Sequence, residues 1–217
     1  MSELVFFDVD NTLVSGQTQE YLIKYLFKCG RISFWFLLKL YFWFLLYRLG
    51  LIRDTIKIRE KTFKLVSGWD NEETKQLLED FFNREIKEKI FPQAIEIINS
   101  YQKEGRRVVL LSASLKPLIE IIGKWFNITD VVAVELETKN KKYTGKILGS
   151  VVYGQQKVEA LKNIINRYNP ERLIAYADHY SDLELLRFVS EPHVVNPDKK
   201  ILVIAKKNNW PIHYFKL

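Results

Sequence analysis

The sequence predicts an α/β fold in which a parallel sheet carries helices on both faces and accepts one all-helical insertion. Three observations predict it. Short apolar runs ending on polar residues recur along the chain, helical patterns separate them, and residues 15–90 break the alternation without a convincing strand.

Leu4-Val5-Phe6-Phe7 leads into Asp8, as a strand buried on both faces and running into a loop would read. Val108-Val109-Leu110-Leu111 leads into Ser112, Asp130-Val131-Val132-Ala133-Val134 into Glu135, Leu173-Ile174-Ala175-Tyr176-Ala177 into Asp178, and His193-Val194-Val195 into Asn196. Helical patterns at 93–104, 116–126 and 157–168 supply the crossovers that a parallel sheet needs. In such sheets the ligand site lies beyond the carboxyl ends of the strands, which is where Asp8, Ser112 and Asp178 fall. Residues 15–90 carry helix-type patterns, with breaks at Gly30, Gly50 and Ser67-Gly68. The expected division is a core of 1–14 and 91–217 and a helical insertion of 15–90. The basic run at 139–142, before Tyr143-Thr144-Gly145, reads as a solvated hairpin turn or loop.

With 217 residues, 47% hydrophobic and 27% charged, the chain can bury a real core. A single cysteine, Cys29, cannot form an internal disulfide, and Met1-Ser2-Glu3 begins no secretory pattern, so a cytoplasmic protein is expected. A net charge of +7 and a pI of about 9.3 favour anionic partners. The cations are interleaved with large apolar residues, so nucleic acid is not expected.

Asp8-Val9-Asp10-Asn11-Thr12 places two carboxylates two residues apart at a strand end, on the same side. One can attack phosphorus and coordinate a cation while the other, held protonated by its anionic neighbours, protonates the departing oxygen. A turn or a helix cap is the plainer alternative. Ser112-Ala113-Ser114 stands where a hydroxyl and backbone N–H groups could hold phosphate oxygens, or where a serine could cap a helix. Lys157, after Gly154-Gln155-Gln156, could neutralise a phosphoryl group or be an ordinary surface lysine. Asp178 and Asp182 flank His179-Tyr180-Ser181 and suit a hard cation; His179 is read as facing solvent.

In this order the elements resemble the haloacid dehalogenase superfamily, in its phosphoserine-phosphatase-like branch with a helical cap inserted after the first motif. The most specific part is Phe7-Asp8-Val9-Asp10-Asn11-Thr12-Leu13. The resemblance implies a Rossmann-like core and a magnesium-dependent phosphatase. It makes Asp8 the nucleophile, Asp10 the general acid and later base, and Ser112 and Lys157 the phosphate holders. It gives Mg2+ to Asp8, Asp178 and the backbone carbonyl of Asp10, with Asp182 a further ligand or an orienting neighbour. The fourth motif departs from the common pattern in reading Ala177-Asp178-His179.

Relatives of that branch usually carry a glutamate for the substrate ammonium where this chain has Gln17, which argues against phosphoserine; Glu20 is a neighbouring substitute. From Tyr21 to Arg53 there is no acidic residue, and the centre, 34–47, is aromatic and apolar. As a helix it would be about 21 Å long, short of the roughly 30 Å hydrocarbon core. It is expected to lie peripherally on the cytoplasmic face of an anionic membrane, the alternative being a helix packed inside the cap or against a second subunit. This feature points to a lipid phosphomonoester such as lysophosphatidic acid or phosphatidylglycerophosphate. Arg59 is a candidate headgroup contact, with a solvated helix face as its alternative. A soluble small-metabolite phosphatase, for phosphoserine or a phosphoamine, and a non-catalytic membrane-binding module are the competing readings.

Overall fold

Residues 3–48, 63–149 and 152–217 are described by a computed structural model. The strands are β1 (Glu3–Asp8), β2 (Arg107–Leu115), β3 (Asp130–Lys139), β4 (Lys142–Leu148), β5 (Arg172–Ala177), β6 (Glu191–Val195) and β7 (Ile212–His213). They form one sheet in the order β4-β3-β2-β1-β5-β6-β7. Every neighbouring pair is parallel except β3 with β4. The helices are α1 (Thr18–Lys28), α2 (Phe34–Arg48), α3 (Asn71–Phe81), α4 (Pro92–Lys103), α5 (Lys116–Trp125), α6 (Gln155–Tyr168), α7 (Leu183–Phe188) and α8 (Lys199–Lys207).

The apolar runs read from the sequence are the strands of this sheet. β1 lies between β2 and β5, and Leu4 to Phe7 are buried on both faces, which explains why this strand shows no polar alternation. Phe7 sits level with Leu110 and Tyr176, and its ring stacks on Tyr176 at 4.4 Å between centroids. Tyr176 stacks in turn on His193 of β6 at the same spacing. Burial of the Phe7 ring alone contributes roughly 1.5–3 kcal/mol. The stack therefore locks together the strands on which Asp8 and Asp178 ride.

β2 differs from expectation. It does not end at Leu111 but continues to Leu115, with its register on β3 shifting between Leu111 and Leu115. Ser112, Ala113 and Ser114 fall in that irregularity, where a strand bends and its side chains are re-aimed.

The basic run before Tyr143 is a hairpin turn: Asn140 and Lys141 both have positive φ, 52° and 61°, as a two-residue loop of this hand needs. Residues 68–71 join this hairpin by backbone hydrogen bonds. Gly68 N donates to Tyr143 O at 2.7 Å, Tyr143 N to Trp69 O at 3.0 Å, and Asn71 N to Lys141 O at 2.9 Å. Between β1 and β2 the described residues are helical apart from turns and isolated bridges. Asp70 caps α3 by accepting from Glu72 N and Glu73 N. In α2, Phe36 and Leu37 pack on the core while Phe34, Trp35 and Tyr41 are exposed.

Candidate active site

Asp8 closes β1, and the chain then turns back on itself: Leu13 N and Val14 N both donate to Val9 O at 2.9 Å. Asn11 takes a left-handed conformation, φ 57°, which asparagine tolerates better than most residues. From there it accepts Gly16 N on Oδ1 at 3.2 Å and donates Nδ2 to Asp178 Oδ2 at 3.1 Å. Asp10 lies at the start of α1, where Thr18 N donates to its Oδ1 at 2.7 Å.

Ser112, 1% exposed, accepts Ser114 N on its Oγ at 3.1 Å, and Ser114 Oγ lies 3.2 Å from Thr18 Oγ1. Neither serine is a helix cap. The residue before α5 is Leu115, which makes no side-chain cap bond. Gln19 Nε2 reaches Ala113 O at 3.4 Å, so α1 touches the bent end of β2 twice.

Lys157 is no surface lysine. It is the third residue of α6 and 3% exposed, and its Nζ lies 2.5 Å from both Asp8 Oδ1 and Asp182 Oδ1. Asp178 follows β5 directly, and Asp182 ends a short 3-10 turn, Tyr180–Asp182.

Asp8, Asp178 and Asp182, all buried, each bring an oxygen within 4.8 Å of the others. Burial pushes the Asp8 carboxyl up to about 7, with Asp182 adding to the shift and Lys157 opposing it. Burial, then Asp8 and Asp182, push Asp178 up to about 9. Burial disfavours the Lys157 charge, yet Asp182 and Asp8 outweigh it and hold the ammonium above its ordinary value. Once all three are ionised, the carboxylates outnumber the one ammonium, and a cation is needed to balance them. Hard oxygen donors in that arrangement fit a divalent cation such as Mg2+. A cavity of about 650 Å³ opens beside the cluster, lined by Asn11, Gly16, Asp178, Asn196 and Phe215 among others.

The structure thus brings Asp8, Lys157, Asp178 and Asp182 into direct contact or near it, and links Ser112 to Asp10 through Ser114 and Thr18. Gln17, the residue before α1, and Glu20, in its first turn, are exposed, and Arg59 lies outside the described residues. His179, read as facing solvent, is half-exposed and also lines the cavity beside the cluster; its Nδ1 lies 3.0 Å from Ser181 Oγ and its Nε2 3.4 Å from Asp198 Oδ2. Sequence reasoning missed Asn11 and Thr18. An asparagine in a tight turn was a signal for the first, and a threonine opening a helical pattern for the second. It also passed over Asn196, whose Nδ2 lies 3.5 Å from Asn11 O and whose Oδ1 accepts Phe215 N.

A family model for haloacid dehalogenase-like hydrolases matches residues 5–187. A phosphoserine phosphatase of Mycobacterium tuberculosis is 26% identical over 224 residues, covering 100% of this chain and 72% of that protein. A histidinol-phosphatase of Neisseria meningitidis serogroup C is 27% identical over 244 residues, covering 100% of both. Among solved structures, a protein of unknown function from Bordetella pertussis Tohama I has a TM-score of 0.89 at 21% identity, with 98% of each chain covered. That last likeness speaks for the fold alone.

Proposed function

The chain belongs to the haloacid dehalogenase-like hydrolases, and from that membership we propose a magnesium-dependent phosphatase that hydrolyses a small-metabolite phosphomonoester through a phosphoaspartate on Asp8. The observation that carries this is the buried Asp8 itself, ion-paired to Lys157 and packed among two further carboxylates. Two relatives named for small metabolites, phosphoserine and histidinol phosphate, support the soluble substrate class over a lipid. The exposed Gln17 lacks the charge to hold an ammonium, which weighs against phosphoserine within that class.

Mg2+ would be held by Asp8, Asp178 and the backbone carbonyl of Asp10, with Asp182 beside them. When bound, it withdraws negative charge from the phosphoryl oxygens. Asp8 attacks phosphorus and the ester P–O bond breaks, the leaving oxygen taking the proton of Asp10. Water then attacks the phosphoaspartate, gives a proton to Asp10 and frees phosphate, restoring Asp8. Thr18 N fixes the Asp10 carboxyl at the start of α1 for both transfers. Lys157 balances charge on the phosphoryl oxygens, and the Ser112 hydroxyl and its neighbouring N–H groups hold them. In this scheme 15–90 is the cap and 1–14 with 91–217 the catalytic core.

A second reading, a lipid phosphomonoester processed at the cytoplasmic membrane face, has the exposed aromatic residues of α2 in its favour. A panel of phosphoserine, histidinol phosphate, lysophosphatidic acid and phosphatidylglycerophosphate, assayed with Mg2+ with and without detergent, separates the two. Turnover is expected on a small soluble ester and lost in Asp8→Asn. Turnover confined to the lipids would install the second reading, and hydrolysis by Asp8→Asn would remove the mechanism.

A further inference from the structure

Helix α2 presents a surface of another kind, whose argument does not depend on the substrate at Asp8. As a sequence it is apolar on every side, so its pattern gives no direction. Packing supplies one. Phe36 and Leu37 are half-buried against the core, whereas Phe34, Trp35, Leu38, Tyr41 and Phe42 are 62%, 72%, 46%, 66% and 57% exposed. At about 3.6 residues per turn, these five fall in a single stripe roughly 120° wide. An exposed apolar stripe of this kind marks a binding surface more often than bare solvent contact.

Charge selects the occupant. No Asp or Glu occurs from Tyr21 to Arg53. Lys24 on α1, Arg31 in the turn after it and Lys39 on the flank of the stripe are exposed, and Lys28 pairs with Glu85 at 3.1 Å. A second copy docking stripe on stripe would bring these cations together with no acid from either segment, a like-charge cost. Anionic lipid satisfies both features, with aromatic rings at the acyl boundary and Lys and Arg at the headgroups. The fifteen residues of α2 span about 22 Å, and no helix among the described residues is long and apolar enough to cross a membrane.

We propose that this stripe docks the protein on an anionic bilayer surface, with α2 lying in the plane of the interface. The test is flotation of the full chain with vesicles of phosphatidylglycerol and phosphatidylcholine, and with phosphatidylcholine alone. Two double variants accompany it, Trp35→Ser with Phe42→Ser and Arg31→Glu with Lys39→Glu. The wild type should float with the anionic vesicles, less so as salt rises, and each double variant should bind about tenfold or more weakly. Hydrolysis of soluble p-nitrophenyl phosphate should be unchanged in both, which monitors the fold and keeps this test separate from that of the catalytic reading. No flotation of the wild type, or wild-type affinity in the aromatic variant, would overturn the proposal. So would self-association abolished by the aromatic variant without vesicle binding, which would assign the stripe to a second copy.

Discussion

Thr18 donates its backbone N–H to Asp10 Oδ1 at 2.7 Å, and its hydroxyl lies 3.2 Å from Ser114 Oγ. The first residue of α1 thereby ties the proposed proton donor to the strand end that carries Ser112. Thr18→Val keeps the N–H and removes the hydroxyl, leaving Ser114 Oγ without that partner in a buried place. Stability should fall by about 1–2 kcal/mol, read as a lower urea midpoint. KM should rise several-fold while the pH profile of kcat keeps its shape, since Asp10 retains its donor. A displaced profile would mean that the hydroxyl also governs proton transfer.

Removing Lys157 should expose the charge excess it balances. Lys157→Met leaves Asp8 and Asp182 buried without their shared cation, a loss of about 3–5 kcal/mol for a broken buried pair. Denaturation in EDTA should show the full loss, and saturating Mg2+ should restore part of it. An equal loss with and without Mg2+ would separate the ammonium from the cation site.

Metal-free stability should depend on pH in a defined direction. Asp8 and Asp178 are raised from 3.8 to about 7 and about 9, so the folded protein holds protons that the unfolded chain has already released. Their effect is fully favourable below about pH 4 and is lost as pH rises, the Asp8 part by about 7 and the Asp178 part by about 9. In EDTA, Tm should therefore be lower at about pH 8 than at about pH 5.5, and saturating Mg2+ should shrink the difference by favouring the ionised forms. A metal-free Tm that rises across this interval would contradict the burial of these carboxyls.

Gly16 should tolerate a side chain poorly. Its φ is +87°, and a Cβ there would lie 2.3 Å from the Tyr21 hydroxyl, which donates to Ser15 O. Gly16→Ala should cost about 1–3 kcal/mol and lower kcat, because Gly16 N also holds Asn11, which holds Asp178. Tyr21→Phe combined with Gly16→Ala should recover part of the stability by removing the clashing oxygen, measured by thermal unfolding.

What the sequence revealed follows from which interactions are local. Strands inside the sheet are apolar runs, fully buried in β1 and partly so in β3, so β1, β2, β3, β5 and β6 were legible, and Asp8 and Asp178 with them as the residues that end such runs. Lys157 was legible as a candidate phosphate holder at the start of a helix, but not as a buried one; its burial depends on Asp8 and Asp182, which the fold brings from far along the chain. The bend in β2 was hidden because it is defined by register against β3. Thr18 meets Ser114 across 96 positions, a pairing that no local pattern announces. In α2 the apolar residues run all round the helix, so only tertiary packing distinguishes the side with Phe36 and Leu37 from the side with Trp35 and Phe42.

The bonds from Gly68, Trp69 and Asn71 to the β3–β4 hairpin bear on how such a chain can be recombined. Excising 15–90 would leave the backbone groups of Tyr143 and Lys141 unanswered at the rim of the sheet, a hazard for edge-to-edge aggregation. Grafting the same segment onto a foreign core would strand Gly68 and Asn71 unless the hairpin travelled with it. The transplantable module is therefore discontinuous in sequence, a helical stretch together with a hairpin encoded some seventy residues later, and chimeras cut at the linkers alone should inherit half of a joint.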